Sequence, residues 1–442
     1  MSRAKRPQDS PPLLVAADAA GEVFEIPGLY AMARSGGSWL RPEPREYRPL
    51  PQGSLLFHLP DRRPVGWDPR IGRPRVVDSW NGVEVFAAAA FLPPAHTLLY
   101  LAPWRRLGAS KPLPLFAYCA LGFDGGTFVA PAVRVDPDRR QDVALFDEDE
   151  IEAGARRALE RFPGNRLVKH VVDDCARTYC CPAARNFCLG RWEAPLPTSP
   201  TCNADCVGCI SYQPGGEIPE TQPRLTFKPT PEEIAELAVA HLESAPRPVV
   251  SFGQGCEGEP LLRAEAIEEA IRLIRKRTSR GVVNINTNAS RPDAVRRLVD
   301  AGLDAMRISM NSARPELYAR YHRPRGYTFD DVLASGRAVS AAGGHVSLNY
   351  FVFPGVTDDE AEFDALRRVL DETGARLIQA RNLNLDPDVY LPALGLPPRL
   401  APGFGVERWM ERVRAEAPQV RFGYFNPALE DWPADMTERA RR

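Results

Sequence analysis

Over residues 1–170 the apolar positions come in short runs broken by Pro and Gly: Ser54–Leu59, Val83–Leu92, Thr97–Leu101, Leu115–Phe123 and Thr127–Val135. Turn formers such as Asp124-Gly125-Gly126 separate them, so the pattern predicts β-strands. One helix follows, Glu148 to Arg161, ended near Pro163-Gly164. This region reads as a β-rich accessory domain without a catalytic motif.

From residue 201 to about 385 the pattern changes. A capping box, Thr230-Pro-Glu-Glu233, opens a helix that runs to about Ser244. Strands are predicted at Pro248–Gly253, Val282–Asn288, Ala305–Asn311, His345–Phe353 and Ala375–Arg381, with a further strand leading into Cys202. Helices are predicted between them at Leu262–Arg277, Pro292–Ala301, a stretch ending near Val339–Ala342, and Asp358–Glu372. Strands alternating with amphipathic helices imply an α/β fold with a parallel sheet. Active groups are then expected on the loops after the C-terminal strand ends. Periodicity alone does not distinguish a barrel from an open sheet. The expected units are 1–170, a Cys-rich joint at 171–195, a core at 196–390 and an extension at 391–442. The extension holds one helix, Val406–Ala415, and a polar tail.

Composition narrows the picture. The 442 residues carry 56 basic and 57 acidic side chains, a net charge of −1, which argues against a general nucleic-acid footprint. Only five of the basic residues are Lys, and Pro numbers 44, a bias read here as coding bias. No apolar run reaches the ~18 residues of a membrane span. Met1–Pro12 is basic and polar. The run Leu13–Ala20 is short and is broken by Asp18, so a signal peptide is not expected and a cytoplasmic protein is.

Nine Cys in such a chain point to metal or catalysis rather than to disulfides. Seven lie between residues 175 and 209. Cys202, Cys206 and Cys209 put three thiols on an eight-residue loop with no His within reach in sequence. Three soft ligands suit an iron–sulfur cluster with one iron open, whereas a closed zinc site needs a fourth. A zinc knuckle that borrows an upstream Cys is the competing reading. Cys175, Cys180, Cys181 and Cys188 supply four more thiols, the number for a zinc or a second [4Fe–4S] cluster. Structural thiols without a ligand are the third reading. Arg177, Arg185 and Arg191 are interleaved with them and would offset thiolate charge.

The spacing C-x3-C-x2-C after a first strand resembles the radical S-adenosylmethionine (radical SAM) superfamily, over about residues 196–390. The resemblance implies a partial (βα)6 TIM-like barrel. It also implies that Cys202, Cys206 and Cys209 hold a [4Fe–4S] cluster whose open iron chelates SAM. One electron would cleave SAM to a 5′-deoxyadenosyl radical that abstracts a substrate hydrogen. Gly258-Glu259-Pro260 resembles the family's SAM-ammonium segment, and Asn286-Thr287-Asn288 its third-strand element. Ser309 and Asn311 resemble its ribose-contacting strand. Phe353-Pro-Gly355-Val-Thr-Asp358 resembles its adenine-flanking segment. SAM contacts are therefore expected at Gly258, Glu259, Pro260, Asn288, Ser309, Asn311 and Gly355. Gly208 departs from the pattern, since the family usually has an aromatic there; Ile210 or Tyr212 is expected to fill the space. No Cys follows the barrel, so the C-terminal SPASM and Twitch cluster extensions are not expected.

Cys256, on the loop that should face SAM, is read as a catalytic hydrogen donor or substrate thiol, against a small buried Cys. Arg381 is read as an anchor for an anionic substrate group, against a surface ion pair. Tyr318, Tyr321, His322 and Arg323 follow the fourth strand and could line the substrate end. The implied partners are a reductant such as flavodoxin or ferredoxin and a peptide or protein substrate. The alternatives are a nucleoside or small metabolite as substrate, or a non-catalytic iron–sulfur scaffold or electron-transfer protein.

Overall fold

A computed structural model describes residues 10–213, 215–434 and 436. Most of the basic N-terminal stretch and the end of the polar tail lie outside the described residues. The core is a seven-stranded parallel sheet: β1 (Glu193–Leu196), β2 (Val249–Phe252), β3 (Val282–Thr287), β4 (Ala305–Met310), β5 (His345–Val352), β6 (Leu377–Asn382) and β7 (Arg421–Gly423). Spatial order follows chain order, and helices join successive strands. This is the partial TIM-like barrel, with one strand beyond the six expected. β7 is three residues, Arg-Phe-Gly, too short for any periodicity to register. It pairs with β6 through Leu377 and Arg421.

The helices have local causes. Thr230 accepts from the Glu233 N–H while Glu233 caps back, and Thr328 and Asp331 form a second such box. Ile267, Ala270, Ile271 and Ile274 line the buried face of helix Ala264–Arg277, at the spacing that turns one stripe inward. Each of the Ile side chains contributes about 1.5–3 kcal/mol by leaving water. β2 and β3 are buried along their whole length, as a sheet with both faces covered requires.

The barrel interior is polar and hydrogen-bonded. Asn426, just past β7, donates to Glu193 on β1 (2.7 Å), to Ser251 on β2 (3.2 Å) and to Asn286 on β3 (3.1 Å). Gln379 on β6 donates to Asn426 Oδ1 (3.0 Å). Ser251 Oγ donates to Glu193 (2.6 Å). These bonds bridge the gap between the first and last strands, where no ladder runs.

The N-terminal region is β-rich and antiparallel. Its strand Leu13–Ala17 pairs with Val23–Ala31, Phe86–Phe91 and Gly122–Asp124. The run set aside above as too short for a signal peptide thus supplies a strand bonded to three others. The predicted run Leu115–Phe123 is mostly irregular, with a strand only at Gly122–Asp124 and isolated bridges at Cys119. This region docks on the barrel through polar side chains. Arg62, 1% exposed, bonds Asp386, 0% exposed, at 3.0 Å. Arg34 bonds Asp388 at 2.8 Å, and Trp104 donates to the same carboxylate at 2.9 Å. Asn382 accepts from the Leu98 N–H (2.9 Å) and donates to the His96 carbonyl (3.0 Å). Among the described residues, no helix is long and apolar enough to cross a membrane.

Two buried histidines sit at the far end of the core from the cysteine loop. Burial holds His241 down at about 4, with its Nε2 2.7 Å from the Trp192 carbonyl, and holds His345 down at about 3. Both are neutral in the fold and would take a proton near pH 6.5 when unfolded. Their contribution is therefore full above pH 6.5 and is lost as pH falls toward the folded-state values. At pH 5 the expected loss is about 2 kcal/mol per histidine. Thermal unfolding at pH 7.5 and pH 5 should show a drop of several degrees, and His241→Gln with His345→Gln should reduce that drop. An unchanged drop in the double variant would refute the assignment.

Candidate functional site

One cavity of about 560 Å³ opens at the C-terminal ends of the strands. Cys202, Cys206 and Cys209 line it, together with Gly258, Glu259, Pro260, Asn288 and Ser309. Backbone bonds fix the cysteine loop on two sides. On one side Asp205 and Val207 donate to the carbonyls of His322 and Tyr321, and Arg325 donates to Asn203. On the other, Gly258 donates to Ser199 (2.7 Å) and Glu259 to Thr201 (2.8 Å). A Cβ on Gly258 would lie 2.0 Å from the Thr201 carbonyl oxygen, so only glycine lets the two segments approach this closely.

Glu257, which in sequence reads as either a substrate contact or a solvated acid, instead controls this arrangement. Its side chain is buried and accepts from the N–H groups of Thr198 (2.8 Å), Ser199 (2.9 Å), Gly253 (2.7 Å) and Gln254 (2.8 Å). The carboxylate thus clamps the loop after β1 to the loop after β2. Burial raises its pKa, and the backbone donors oppose that. Glu259 is tied in the same way: it accepts from Leu261 N (2.9 Å), Asn288 N (2.9 Å) and the Thr287 hydroxyl. Burial pushes it up to about 7. Its oxygens face the cavity already engaged with β3, so its carboxylate shapes the segment as well as lining the wall.

Two of the three loop thiols have polar side-chain neighbours. His322 Nδ1 lies 3.3 Å from Cys206 Sγ, and Arg224 Nη2 lies 3.6 Å from Cys209 Sγ. Burial raises Cys202 to about 11 and Cys206 well above the usual thiol range. Cys202, Cys206 and Cys209 do not form a set whose sulfurs all lie within 4.8 Å of one another, as a single ion would require. Soft donors spread round an open cavity fit a larger iron–sulfur group, and the unpartnered buried Asn349 Oδ1 on the same wall leaves a polar position for a further ligand.

Gly208 has a structural explanation. A Cβ there would lie 2.7 Å from Tyr321 Oη, so the ring of Tyr321 occupies the space next to the loop. Tyr212, expected to fill it, is instead 42% exposed beneath the Arg224 guanidinium. Ile210 lines the cavity.

Other expected residues are dispersed. Asn311 is buried with its Nδ2 3.2 Å from Tyr390 Oη, outside the cavity lining. Gly355 packs against the backbone of Gly36 in the N-terminal region, also outside it. Cys256 is buried with its thiol 3.5 Å from Cys175 Sγ, and it is absent from the cavity wall that its neighbours Gly255 and Glu257 form. Among the described residues the four upstream cysteines form no ion-sized donor set with one another. Cys175 faces Cys256, Cys180 is exposed, and Cys181 lines the cavity. Cys188, at the end of helix Pro182–Cys188, has Arg177, Glu152 and Arg185 as its charged neighbours. Arg381 is no surface ion pair. It lines the cavity beside Arg307 and donates to the Tyr424 carbonyl (2.8 Å). Tyr321 and His322 also line the cavity.

Residues 196–366 match the family model described as the radical SAM superfamily. Among curated proteins, the FeMo cofactor biosynthesis protein NifB of Klebsiella pneumoniae is 25% identical over 223 residues, covering 47% of this chain and 46% of that one. GTP 3′,8-cyclase of Acidothermus cellulolyticus is 30% identical over 183 residues, covering 39% and 47%. The chain thus spans about half the length of the curated relatives it matches. Among solved structures, methylornithine synthase aligns with a TM-score of 0.37 and 14% identity, over 63% of this chain and 72% of that one.

Glu257→Ala would strand four N–H groups, two of them fully buried. We expect it to lower stability by about 3–5 kcal/mol in urea unfolding. Glu257→Gln, which keeps one acceptor oxygen, should cost less. Equal stability of wild type and the Ala variant would refute the clamp.

Proposed function

We propose that this chain, whose residues 196–366 form a radical SAM domain, is a radical SAM enzyme acting on a substrate that carries an anionic group. The carrying observation is the convergence of the three loop thiols and the 258–260 segment on one cavity. Cys202, Cys206 and Cys209 would hold the [4Fe–4S] cluster, and Gly258, Glu259, Pro260, Asn288 and Ser309 would contact SAM. When bound and reduced, this pair supplies a 5′-deoxyadenosyl radical able to take hydrogen from a substrate carbon.

The chain's own residues do the rest. Arg224 points an N–H group at Cys209 Sγ, and His322 Nδ1 lies beside Cys206 Sγ; the guanidinium lowers the cost of keeping thiolate charge in a partly buried site. Tyr321 closes the space beside Gly208, and the N-terminal region contributes Phe91 and Leu92 to the wall, which limits water near a reactive centre.

Arg307 and Arg381 support the anionic substrate. Arg307 is held down at about 9 by burial and then by its neighbour Arg381. Among the described residues neither guanidinium has a carboxylate within ion-pair distance, and both Nε atoms are buried without a partner. Two guanidiniums without a direct ion-pair partner on a cavity wall that also carries Glu193 favour an added anion. A small acid or phosphate ester meets this requirement. A peptide is the second reading, favoured by Phe91 and Leu92, which would give an extended substrate an apolar contact.

Replacing Cys202, Cys206 and Cys209 with Ala should abolish 5′-deoxyadenosine formation from SAM under dithionite, measured by chromatography. Retained formation would overturn the proposal. For the anion site, a panel of carboxylates and phosphate monoesters should raise the Tm of wild type but not of Arg307→Gln/Arg381→Gln. Equal shifts in both proteins would remove the two arginines from the site.

A further inference from the structure

Among the described residues, the one compact set of three or more potential metal donors lies outside the loop just discussed. His170, Cys175 and Cys256 present Nε2 and two Sγ atoms that all lie within 4.8 Å of one another, and all three residues are buried. Cys175 Sγ is 3.5 Å from Cys256 Sγ and 3.6 Å from His170 Nε2. We propose that these residues bind a single tetrahedral metal ion of the zinc type, separate from the proposed cluster.

The distances select a single ion. Bonds of about 2.3 Å to sulfur and 2.0–2.1 Å to nitrogen, at the tetrahedral angle, put sulfur about 3.8 Å from sulfur and about 3.6 Å from nitrogen. The observed sulfur–nitrogen edge of 3.6 Å matches, and the sulfur–sulfur edge of 3.5 Å lies within about 0.3 Å of the tetrahedral value. A disulfide needs its sulfurs at about 2.05 Å. A cluster would set each ligand on its own iron and spread the sulfurs further apart.

The backbone is built to make this set. His170 and Cys175 are five apart, and an α-helix would turn them about 140° away from each other. Residues His170–Thr178 instead form a π-helix, whose i→i+5 bonding brings residues five apart to the same face. Cys256 comes from the opposite side. Its loop is held by Glu257, and its carbonyl accepts from the Leu225 N–H (2.8 Å). The histidine is oriented by Asp174, whose carboxylate lies 2.7 Å from Nδ1. That bond puts the proton on Nδ1 and leaves the Nε2 lone pair toward the sulfurs, the outer support that metal-ligating histidines typically have. Soft thiolates with one imidazole favour zinc. Cys181 is tied to this set through its backbone, its N–H donating to the Cys175 carbonyl (2.8 Å). Bound metal would fasten the 170–178 helix to the loop that carries Gly258 and Glu259.

The test uses the full chain, isolated anaerobically from zinc-supplemented medium, with zinc, iron and sulfide measured per chain. The Cys202/Cys206/Cys209→Ala variant removes the cluster ligands and keeps failure of the radical SAM reading distinct. Wild type and that triple variant should each retain about one zinc. Adding Cys256→Ala, or His170→Gln, should lower zinc at least tenfold while circular dichroism stays unchanged. Cobalt(II) added to metal-free wild type should give tetrahedral ligand-field bands with thiolate-to-cobalt charge transfer, a readout that does not depend on the variants folding. Absence of zinc and cobalt binding in wild type would overturn the proposal. So would zinc content indifferent to Cys256→Ala, or iron and sulfide in the triple variant that are lost with Cys256→Ala.

Discussion

The functional end of this protein depends on one buried carboxylate. Glu257 gathers four backbone N–H groups from two loops that no strand pairing joins. On one side of it the chain enters the cysteine loop; on the other lie Gly258 and Glu259, with Cys256 immediately before. A buried charge is costly unless its lone pairs are filled, and here backbone donors fill them, so the charge holds the loops in register instead of straining them. The clamp and the missing side chain of Gly258 together hold the two segments in close contact.

Electrostatics then divide the barrel in two. In its interior Glu193, Ser251, Asn286, Gln379 and Asn426 hydrogen-bond one another, and Glu193 and Asn286 also line the cavity. The cavity wall above keeps Arg224, Arg307 and Arg381 facing inward. Positive charge in a partly buried pocket raises the local concentration of anions and lowers the cost of clustered thiolates. Both proposed ligands of the cavity use the same field.

Much of this was legible in the chain. Alternating strand and helix patterns gave the parallel core, and the Cys202–Cys209 spacing gave the loop. What escaped was long-range or too short to be periodic. Glu257 reads as one more acid beside Glu259; only the fold shows four N–H groups aimed at it. Tyr321 is 113 positions from Gly208, so the ring that fills the glycine's space could not be paired with it from spacing. The π-helix leaves no hydrophobic signature of its own, which is why Cys175 was grouped with its chain neighbours Cys180, Cys181 and Cys188 rather than with Cys256 and His170. Cys256 lies by position on the loop that lines the cavity, yet its thiol turns the other way, toward Cys175.

The buried Arg62–Asp386 pair has a consequence for how the chain is made. Its partners are 324 residues apart. At synthesis rates of about 5–20 residues per second, Arg62 leaves the ribosome roughly 15–65 s before Asp386 exists. Arg34 waits as long for Asp388, and the Leu98 N–H for Asn382. The N-terminal β region therefore emerges with its docking face unmatched. Its final seating is a late, non-local event in biogenesis, of the slow, high-contact-order kind that chaperones commonly shelter.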